Sequence, residues 1–208
     1  MKELKRFCSF LVVAILFISC DKTTDFYTIQ GEAQGSTYSI KYISTEEKVI
    51  KNQVDSLLTA FDLSLSTYRP DSKISKINSG DSTVVVDDFF TETFQLSSQI
   101  YKETNGLFDP TIGVLVNAYG FGPNKKHQDL APKQIDSLLQ FVGFDKIALK
   151  SNKTISKKYK ETFIDFNAIA QGYSVDVVVN YLKSKGIENA IVEIGGELFA
   201  LGKNTIEN

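Results

Sequence analysis

Cysteine and histidine are almost absent from this chain of 208 residues, which contains two cysteines and one histidine. Both cysteines, Cys8 and Cys20, lie within the first twenty residues. A domain that begins after them has neither a disulfide nor a cysteine-based metal site. The histidine, His127, stands in the polar segment 123–129 and is interpreted as a solvated loop residue. Histidine-dependent triads and HExxH zinc sites are therefore excluded or unsupported.

An excess of basic charge is also absent, since 23 basic residues face 25 acidic ones and the formal net charge is −2. This balance does not indicate nucleic acid binding. The sequence has no P-loop, and Gly120-Phe121-Gly122 lacks the third glycine of a dinucleotide-binding fingerprint. The length allows one domain with a sizeable core.

The first twenty residues resemble a bacterial lipoprotein signal. Three basic residues within the first six precede an apolar run at 7–18, which is short for a membrane span of ~20 residues and typical of a signal peptide. We therefore predict a lipoprotein signal peptide at 1–19 and a tether at 20–29, with Cys20 as the lipidated first residue of the mature chain. Acyl chains on Cys20 would hold the protein to a membrane surface. The alternative is a plain signal peptide or a weak anchor in which Cys20 is incidental.

Apolar periodicity predicts strands and helices in irregular alternation. Strands are predicted at 36–43, 82–86, 146–150, 162–166, 189–194 and 197–201. One helix is predicted to end near Leu65, and one turn of helix is predicted within 71–80. Longer helices are predicted at 89–104, from Pro132 to Gly143, and from the Val175 region to Gly186. The segment 44–47 has capping-box spacing before the first of these helices. Together these elements predict an α+β fold, with helices packed on a mixed, mainly antiparallel sheet.

The stretch 165–176 carries the most chemical information. It follows an apolar run predicted as a strand and leads into a helix face, so that Asp165 stands at a strand-to-helix turn. Gly172 permits close approach of a ligand to the backbone, and the N–H groups of an opening helix suit phosphate oxygens. A carboxylate beside phosphates indicates a Mg²⁺ ion between them. The alternative is an ordinary junction in which Asp165 caps the helix.

Six short motifs occur in order along the chain. They lie at 35–40, 64–68 with 72–78, 104–111, 115–122, 165–176 and 192–197. Together with the lipoprotein-like N-terminus, they resemble the FAD:protein FMN transferases, which form the ApbE family. The resemblance covers about residues 30–202, nearly all of the predicted mature chain.

This resemblance implies an activity. Members of the family bind FAD and Mg²⁺ and attach FMN through a phosphoester to a Thr or Ser of an acceptor protein, releasing AMP. Acceptors include flavoprotein subunits of membrane electron-transport complexes, so we expect a lipid-anchored protein of the bacterial cell envelope that faces the periplasm. Two alternatives remain open: an FAD-binding lipoprotein without transfer activity, and a Mg²⁺-dependent FAD pyrophosphatase in which water replaces the acceptor hydroxyl.

The resemblance also assigns roles to individual residues. Seven side chains are assigned to FAD: Gln34, Tyr68, Leu107, Phe108, Asp109, Asp165 and Gln171. Asp165 also receives the catalytic role, and the carbonyl oxygen of Ala168 is the implied Mg²⁺ ligand. Gln34 stands where the family often has Met, and Gln171 where it often has Lys or Glu. Structural alternatives are a helix N-cap at Asp109, because Pro110 follows it, and an ordinary loop aromatic at Tyr68.

Family members are usually longer than this chain. We therefore predict that residues 30–208 form the N-terminal two-thirds of an FMN transferase-like domain whose C-terminal part is missing. That part normally supplies further Mg²⁺ ligands and more of the sheet. An inactive fragment is accordingly a further hypothesis.

Overall fold

The computed structural model describes residues 23–123, 129–204 and 206. The strands are β1 (Asp25–Ala33), β2 (Ser36–Ser44), β3 (Ile147–Leu149), β4 (Ile155–Lys157), β5 (Ala190–Ile194) and β6 (Glu197–Leu201). The helices are α1 (Lys51–Leu65), α2 (Lys73–Asn78), α3 (Asp88–Glu103), α4 (Gly113–Ala118), α5 (Pro132–Leu139) and α6 (Asn167–Ser184). Cys8, Cys20 and His127 lie outside the described residues, as do the predicted signal peptide and the first residues of the tether.

An antiparallel sheet with the order β1-β2-β5-β6 forms the centre of the fold. Strand β2 alternates as predicted, with Tyr38, Ile40 and Tyr42 buried on the face toward the helices. Strands β3 and β4 form a separate two-stranded antiparallel sheet. The predicted α+β class with a mainly antiparallel sheet is therefore confirmed.

Both hairpins of the larger sheet turn through two residues with positive φ. Gln34 and Gly35, between β1 and β2, have φ of 56° and 72°, and Gly195 and Gly196, between β5 and β6, have 58° and 97°. Such left-handed pairs match the right-handed twist of hairpin strands. The predicted Gly-Gly hairpin is confirmed, and the first hairpin places an unusual Gln34 conformation at the end of the sheet.

Two apolar clusters connect the helices to this sheet. The predicted apolar face of α6 is buried at all four positions: Val175, Val178, Val179 and Leu182. A second cluster joins α1, α2 and α3 to the segment before α6, where Phe90 meets Phe166 edge to face at 5.4 Å. Within the described ranges, no helix combines the length and the apolar character needed to cross a bilayer.

The capping box predicted at 44–47 is wrong. Ser44 is the last residue of β2 and pairs with Asp25, while α1 begins only at Lys51 and its N-cap residue has no side-chain cap. The N–H groups of Lys48 and Val49 donate instead to the hydroxyl of Tyr42, at 3.2 and 3.3 Å. Ser44 is thus paired within the sheet, so the spacing that resembled a capping box does not begin a helix.

Two strand predictions, at 82–86 and 162–166, are also wrong. Strands β3 and β4 pair with each other across the lysine-rich turn, so 162–166 has no ladder and makes one isolated parallel bridge, between Phe163 and Ile112. Residues 82–86 are assigned to no strand either. Apolar alternation identifies extended backbone, but a strand also needs a neighbouring chain to bond with.

Side chains replace the missing ladder beside 162–166. The Asn78 amide, at the end of α2, donates to the carbonyl of Ile164 at 2.8 Å and accepts its N–H at 2.8 Å. The ammonium group of Lys157 donates to the carbonyls of Thr162, at 2.9 Å, and of Asn78, at 3.2 Å. These bonds hold the extended segment that leads directly to Asp165.

We expect Asn78→Ala to lower the free energy of unfolding by about 2 kcal/mol, because it leaves the N–H and C=O of Ile164 without partners. Urea denaturation of the purified variant measures this value. Asn180→Ala, at an exposed position on α6, is the matched control and should cause no loss. Equal stability of the two variants would contradict a structural role for the Asn78 amide.

Candidate functional site

A cleft of about 710 Å³ lies between the β1–β2 turn, the C-terminal half of α1 and the start of α6. Its volume is within the usual range of small-molecule sites. Phe61, Leu65 and Ala170 supply apolar wall, and Gln34, Asp62 and Gln171 are among its polar lining residues. An apolar floor with a few polar groups suits a flat heterocycle that carries hydrogen-bonding edges.

Three of the residues predicted to contact FAD line this cleft: Gln34, Tyr68 and Gln171. They come from a hairpin turn, a loop after α1 and the first half of α6, so only the folded chain brings them together. Leu107, Phe108, Asp109, Asp165 and Ala168 are not part of the cleft wall.

Gln34 lines the cleft and carries an unusual buried group. Its Oε1 is 3.2 Å from the hydroxyl of Ser174 on α6, whereas its Nε2 is buried and has no hydrogen-bond partner among the described residues. A buried donor without an acceptor is costly and rare in proteins. The orphaned amide therefore fits a site whose ligand supplies the acceptor.

Asp62 was missed by the sequence analysis. It lines the cleft, and burial raises the pKa of its carboxyl group, an effect that the N–H of Gln34 and the charge of Arg69 oppose. Leu58, Phe61, Asp62 and Leu65 are spaced i, i+3, i+4 and i+7. This spacing places a carboxylate on the apolar face of α1, a signal that could have identified it.

Tyr68 stands at the mouth of the cleft with 54% of its surface exposed. Its hydroxyl donates to the carbonyl of Phe121 at 3.3 Å, which ties the loop after α1 to the motif at 115–122. The neighbouring Arg69 forms a forked pair with Asp71, with distances of 3.1 and 2.8 Å. The open tyrosine ring offers a face on which a planar ligand can stack.

Asp165 supports the start of α6, but it is not the cap residue that the alternative interpretation proposed. Its Oδ1 accepts the N–H of Asn167, the first residue of α6, at 2.8 Å, although Phe166 is the N-cap residue. Burial raises the pKa of the Asp165 carboxyl group, and the Asn167 N–H opposes that shift. The carboxylate thus serves the helix start, and its assigned catalytic role remains a prediction.

The predicted FAD wall at 107–109 is connected to this junction through the backbone. The N–H of Asp165 donates to the carbonyl of Pro110 at 2.7 Å. Asp109 is not the N-cap of α4, because that helix begins at Gly113 with Ile112 as its N-cap residue. The Asp109 carboxylate accepts instead from the N–H and hydroxyl of Thr111 in a tight turn, at 2.8 and 2.6 Å. Leu107 is 93% exposed, which leaves its side chain available to a ligand or a partner.

Gln171 connects α6 to the β5–β6 turn. Its Nε2 donates to the carbonyls of Ile194 and Gly195, at 3.2 and 2.8 Å. The motifs at 165–176 and 192–197 therefore meet at one wall of the cleft. A contact between Gln171 and a cofactor would have to use its remaining acceptor atom or its apolar stem.

Comparison with known proteins assigns the chain to a family. The sequence profile of the ApbE family matches residues 34–207. This chain belongs to the ApbE family. A relative named FAD:protein FMN transferase from Haemophilus influenzae is 32% identical over 217 residues, covering 98% of this chain and 62% of the relative. The relative of that name from Vibrio cholerae is 35% identical over 210 residues, covering 93% and 60%.

Solved structures of the family share the fold. Flavin transferase ApbE from Vibrio cholerae superposes with a TM-score of 0.80 at 33% identity, covering 88% of this chain and 61% of that structure. The apo form of the Pseudomonas stutzeri flavinyl transferase ApbE gives 0.79 at 30% identity, covering 86% and 62%. This chain therefore spans about 60% of the length of the relatives that it matches.

The described residues offer few oxygen donors for the implied Mg²⁺. Ala168 is exposed at the start of α6, and the described part of the chain has no cluster of three or more His, Cys, Asp or Glu residues that could hold a metal. Mg²⁺ requires six oxygen ligands in near-octahedral geometry. The described side chains therefore do not complete a Mg²⁺ site on their own.

Gly172 supplies a test of the predicted close approach at the start of α6. A Cβ placed there meets no atom within 4 Å, so Gly172→Ala should raise the free energy of unfolding by about 0.5–1 kcal/mol. If a ligand lies against this glycine, the same methyl group should weaken FAD binding about tenfold. Thermal unfolding and fluorescence titration with FAD measure the two effects.

Asn180→Ala is the control for Gly172→Ala, because it also raises helix propensity on α6 at an exposed position. It should leave FAD affinity unchanged. Unchanged affinity in Gly172→Ala as well would contradict the predicted approach of a ligand to the Gly172 backbone.

Proposed function

We propose that this chain acts as an FAD:protein FMN transferase, which attaches FMN from FAD to a Thr or Ser of an acceptor flavoprotein and releases AMP. One observation carries the proposal. Gln34, Tyr68 and Gln171, assigned to FAD from three separate parts of the chain, converge on one cleft whose volume is about 710 Å³. The relatives named FAD:protein FMN transferase support it, although each is longer than this chain.

Within this proposal, the acceptor hydroxyl attacks the phosphorus on the FMN side of the FAD pyrophosphate. A new P–O bond forms while the bond to the bridging oxygen breaks, AMP leaves with that oxygen, and the hydroxyl loses its proton. Such reactions depend mainly on positioning and electrostatic stabilisation. The attacking oxygen belongs to the acceptor, so the chain needs no nucleophile of its own.

The chain's own residues would bind and orient the flavin. The apolar wall of Phe61 and Leu65, with the Tyr68 ring at the mouth, would enclose the isoalloxazine. The orphaned amide of Gln34 would donate to it. Asp165, half-buried beside the first turn of α6, would face the phosphates and take up the proton of the acceptor hydroxyl.

A Mg²⁺ requirement is part of the proposal. The carbonyl of Ala168 and the phosphates of FAD would supply some of its oxygens, and a bound Mg²⁺ neutralises charge on phosphates. The described residues do not complete the site, so the roles proposed for Gln34, Tyr68 and Asp165 do not depend on the ion.

We also propose that lipidated Cys20 anchors the protein to a membrane of the bacterial cell envelope, with the domain facing the periplasm. The sequence support is a basic start, an apolar run and a small residue before Cys20. Anchoring would raise the local concentration of membrane-bound acceptors, including flavoprotein subunits of electron-transport complexes. Metabolic labelling with a radioactive fatty acid should label the wild type but not Cys20→Ser.

The test uses the chain without its predicted signal peptide, FAD, Mg²⁺ and an acceptor flavoprotein subunit, with the Vibrio cholerae relative as positive control. Flavin binding is followed by fluorescence, AMP by chromatography, and covalent flavin on the acceptor by in-gel fluorescence. Acceptor-dependent AMP with covalent flavin is the expected result. AMP release without acceptor would indicate an FAD pyrophosphatase. Flavin binding without AMP would indicate a non-catalytic binder, and an absence of both would indicate an inactive fragment.

A further inference from the structure

Asp62 lies where two cavities meet. Besides the cleft, it lines a neighbouring cavity of about 430 Å³ whose wall includes Gly31, Glu32, Lys51 and Asp55. It is the one residue that the walls of the two cavities share. Its carboxylate therefore stands at the end of the cleft that borders on this cavity, beside the β1–β2 turn.

The hydrogen bonds of Asp62 leave part of its capacity unused. The backbone N–H of Gln34 opposes the rise in the pKa of the Asp62 carboxyl group, and an ionised carboxylate can accept about four hydrogen bonds in total. Arg69, whose charge acts on the pKa of Asp62, is forked onto Asp71 instead. Lys51, the basic residue of the neighbouring cavity, is paired with Asp55 at 2.7 Å.

The side chain of Gln34 adds a donor next to this acceptor. The residue whose backbone N–H acts on the pKa of Asp62 also carries a buried Nε2 that has no partner among the described residues. The positive φ of Gln34 and the contact with Ser174 hold the amide against α6. An acceptor and a donor thus belong to two residues that line the same side of the cleft.

We propose that Asp62 and Gln34 together recognise the imide edge of the isoalloxazine ring. Asp62 accepts the ring N3–H, and Gln34 Nε2 donates to the adjacent ring carbonyl. An imide presents this donor–acceptor sequence, and its N–H is a strong donor to a carboxylate. The inference rests on the proposed FAD-binding function and assigns Asp62 as a specificity-determining residue within it.

The test compares FAD with an FAD analogue methylated at ring N3, which lacks the imide donor. Because a hydrogen bond to a charged group is strong, the wild type should bind the methylated analogue about 10- to 100-fold more weakly than FAD. Asp62→Ala should bind FAD more weakly by a similar factor and should no longer distinguish the two flavins. Fluorescence titration gives the four dissociation constants.

Two further variants complete the design. Asp55→Asn, seven residues earlier on α1 and outside the cleft wall, is the matched control and should keep the full preference for FAD. Gln34→Asn tolerates the positive φ but shortens the amide, so it should bind FAD more weakly while retaining the penalty for N3 methylation. Asp62→Asn keeps the side-chain volume and should show a reduced penalty if the Ala variant does not fold.

The outcomes separate the two proposals. Equal wild-type affinity for FAD and its N3-methyl analogue, or an undiminished penalty in Asp62→Ala, would overturn the role of Asp62 while leaving flavin binding intact. A wild-type chain that binds neither flavin would overturn the proposed function and this inference together. Competition by AMP with no competition by FMN would show that the cleft holds the adenine end instead.

Discussion

Phe166→Ala should lower the free energy of unfolding by about 3–5 kcal/mol. The Phe166 ring is fully buried and meets Phe90 edge to face at 5.4 Å. Its removal leaves a cavity between α3 and the start of α6, and the surrounding helices can close such a cavity only in part. Phe166 directly follows Asp165, so the same change should also loosen the junction predicted to bind phosphates.

The measurement is urea denaturation of Phe166→Ala, Phe90→Ala and the double variant. We expect a coupling energy of about 0.5–1.5 kcal/mol between the two rings. Phe121→Ala is the control, because the Phe121 side chain is 73% exposed; it should change stability by less than about 0.5 kcal/mol. A Phe166→Ala variant as stable as Phe121→Ala would show that the second apolar cluster is not packed as described.

Asp165→Asn should have opposite effects on stability and on activity. Burial raises the pKa of this carboxyl group above its ordinary value of 3.8, so the folded state holds the proton more tightly than the unfolded state does. Stability contributed by this residue is then lost as pH rises from about 3.8 through the folded pKa, and at neutral pH the charge is destabilising. The neutral amide removes that cost and can still accept the N–H of Asn167.

We therefore expect Asp165→Asn to unfold at a higher temperature than the wild type at pH 7, with the difference shrinking toward pH 4. FMN transfer should fall about 100-fold, because an amide cannot take up the proton of the acceptor hydroxyl. Thermal melts across this pH range and the AMP-release assay measure the two effects. Lower stability at pH 7 would contradict the burial argument, and unchanged transfer would reduce Asp165 to a structural residue.

Asp71→Asn is the matched control for both measurements. Asp71 is exposed and paired with Arg69, which lowers the pKa of its carboxyl group. The sign of its pH dependence should therefore be opposite to that of Asp165: the pair stabilises the fold above the ordinary pKa and loses this contribution as pH falls. The effect should be small, because exposed ion pairs contribute little.

Local patterns were sufficient for much of the fold. The Gly195-Gly196 hairpin and the apolar face of α6 were both predictable, because turn geometry and helix periodicity involve residues close in sequence. The strand predicted at 162–166 is absent, because the side chains of Asn78 and Lys157, rather than a neighbouring strand, bond the backbone there. Whether an extended segment becomes a strand depends on a distant partner that periodicity does not reveal.

The sequence by itself determined the family, because six short motifs occur in order along the chain. The comparisons confirm the assignment. Its predictions of the signal peptide, the lipid on Cys20 and the Mg²⁺ ligand remain predictions. Only the tertiary structure decided which candidates share a cleft: it brings Gln34, Tyr68 and Gln171 together and adds Asp62. The physical reason is that a site is assembled from turns and helix ends far apart in sequence. Their meeting depends on the packing of the sheet against α1 and α6.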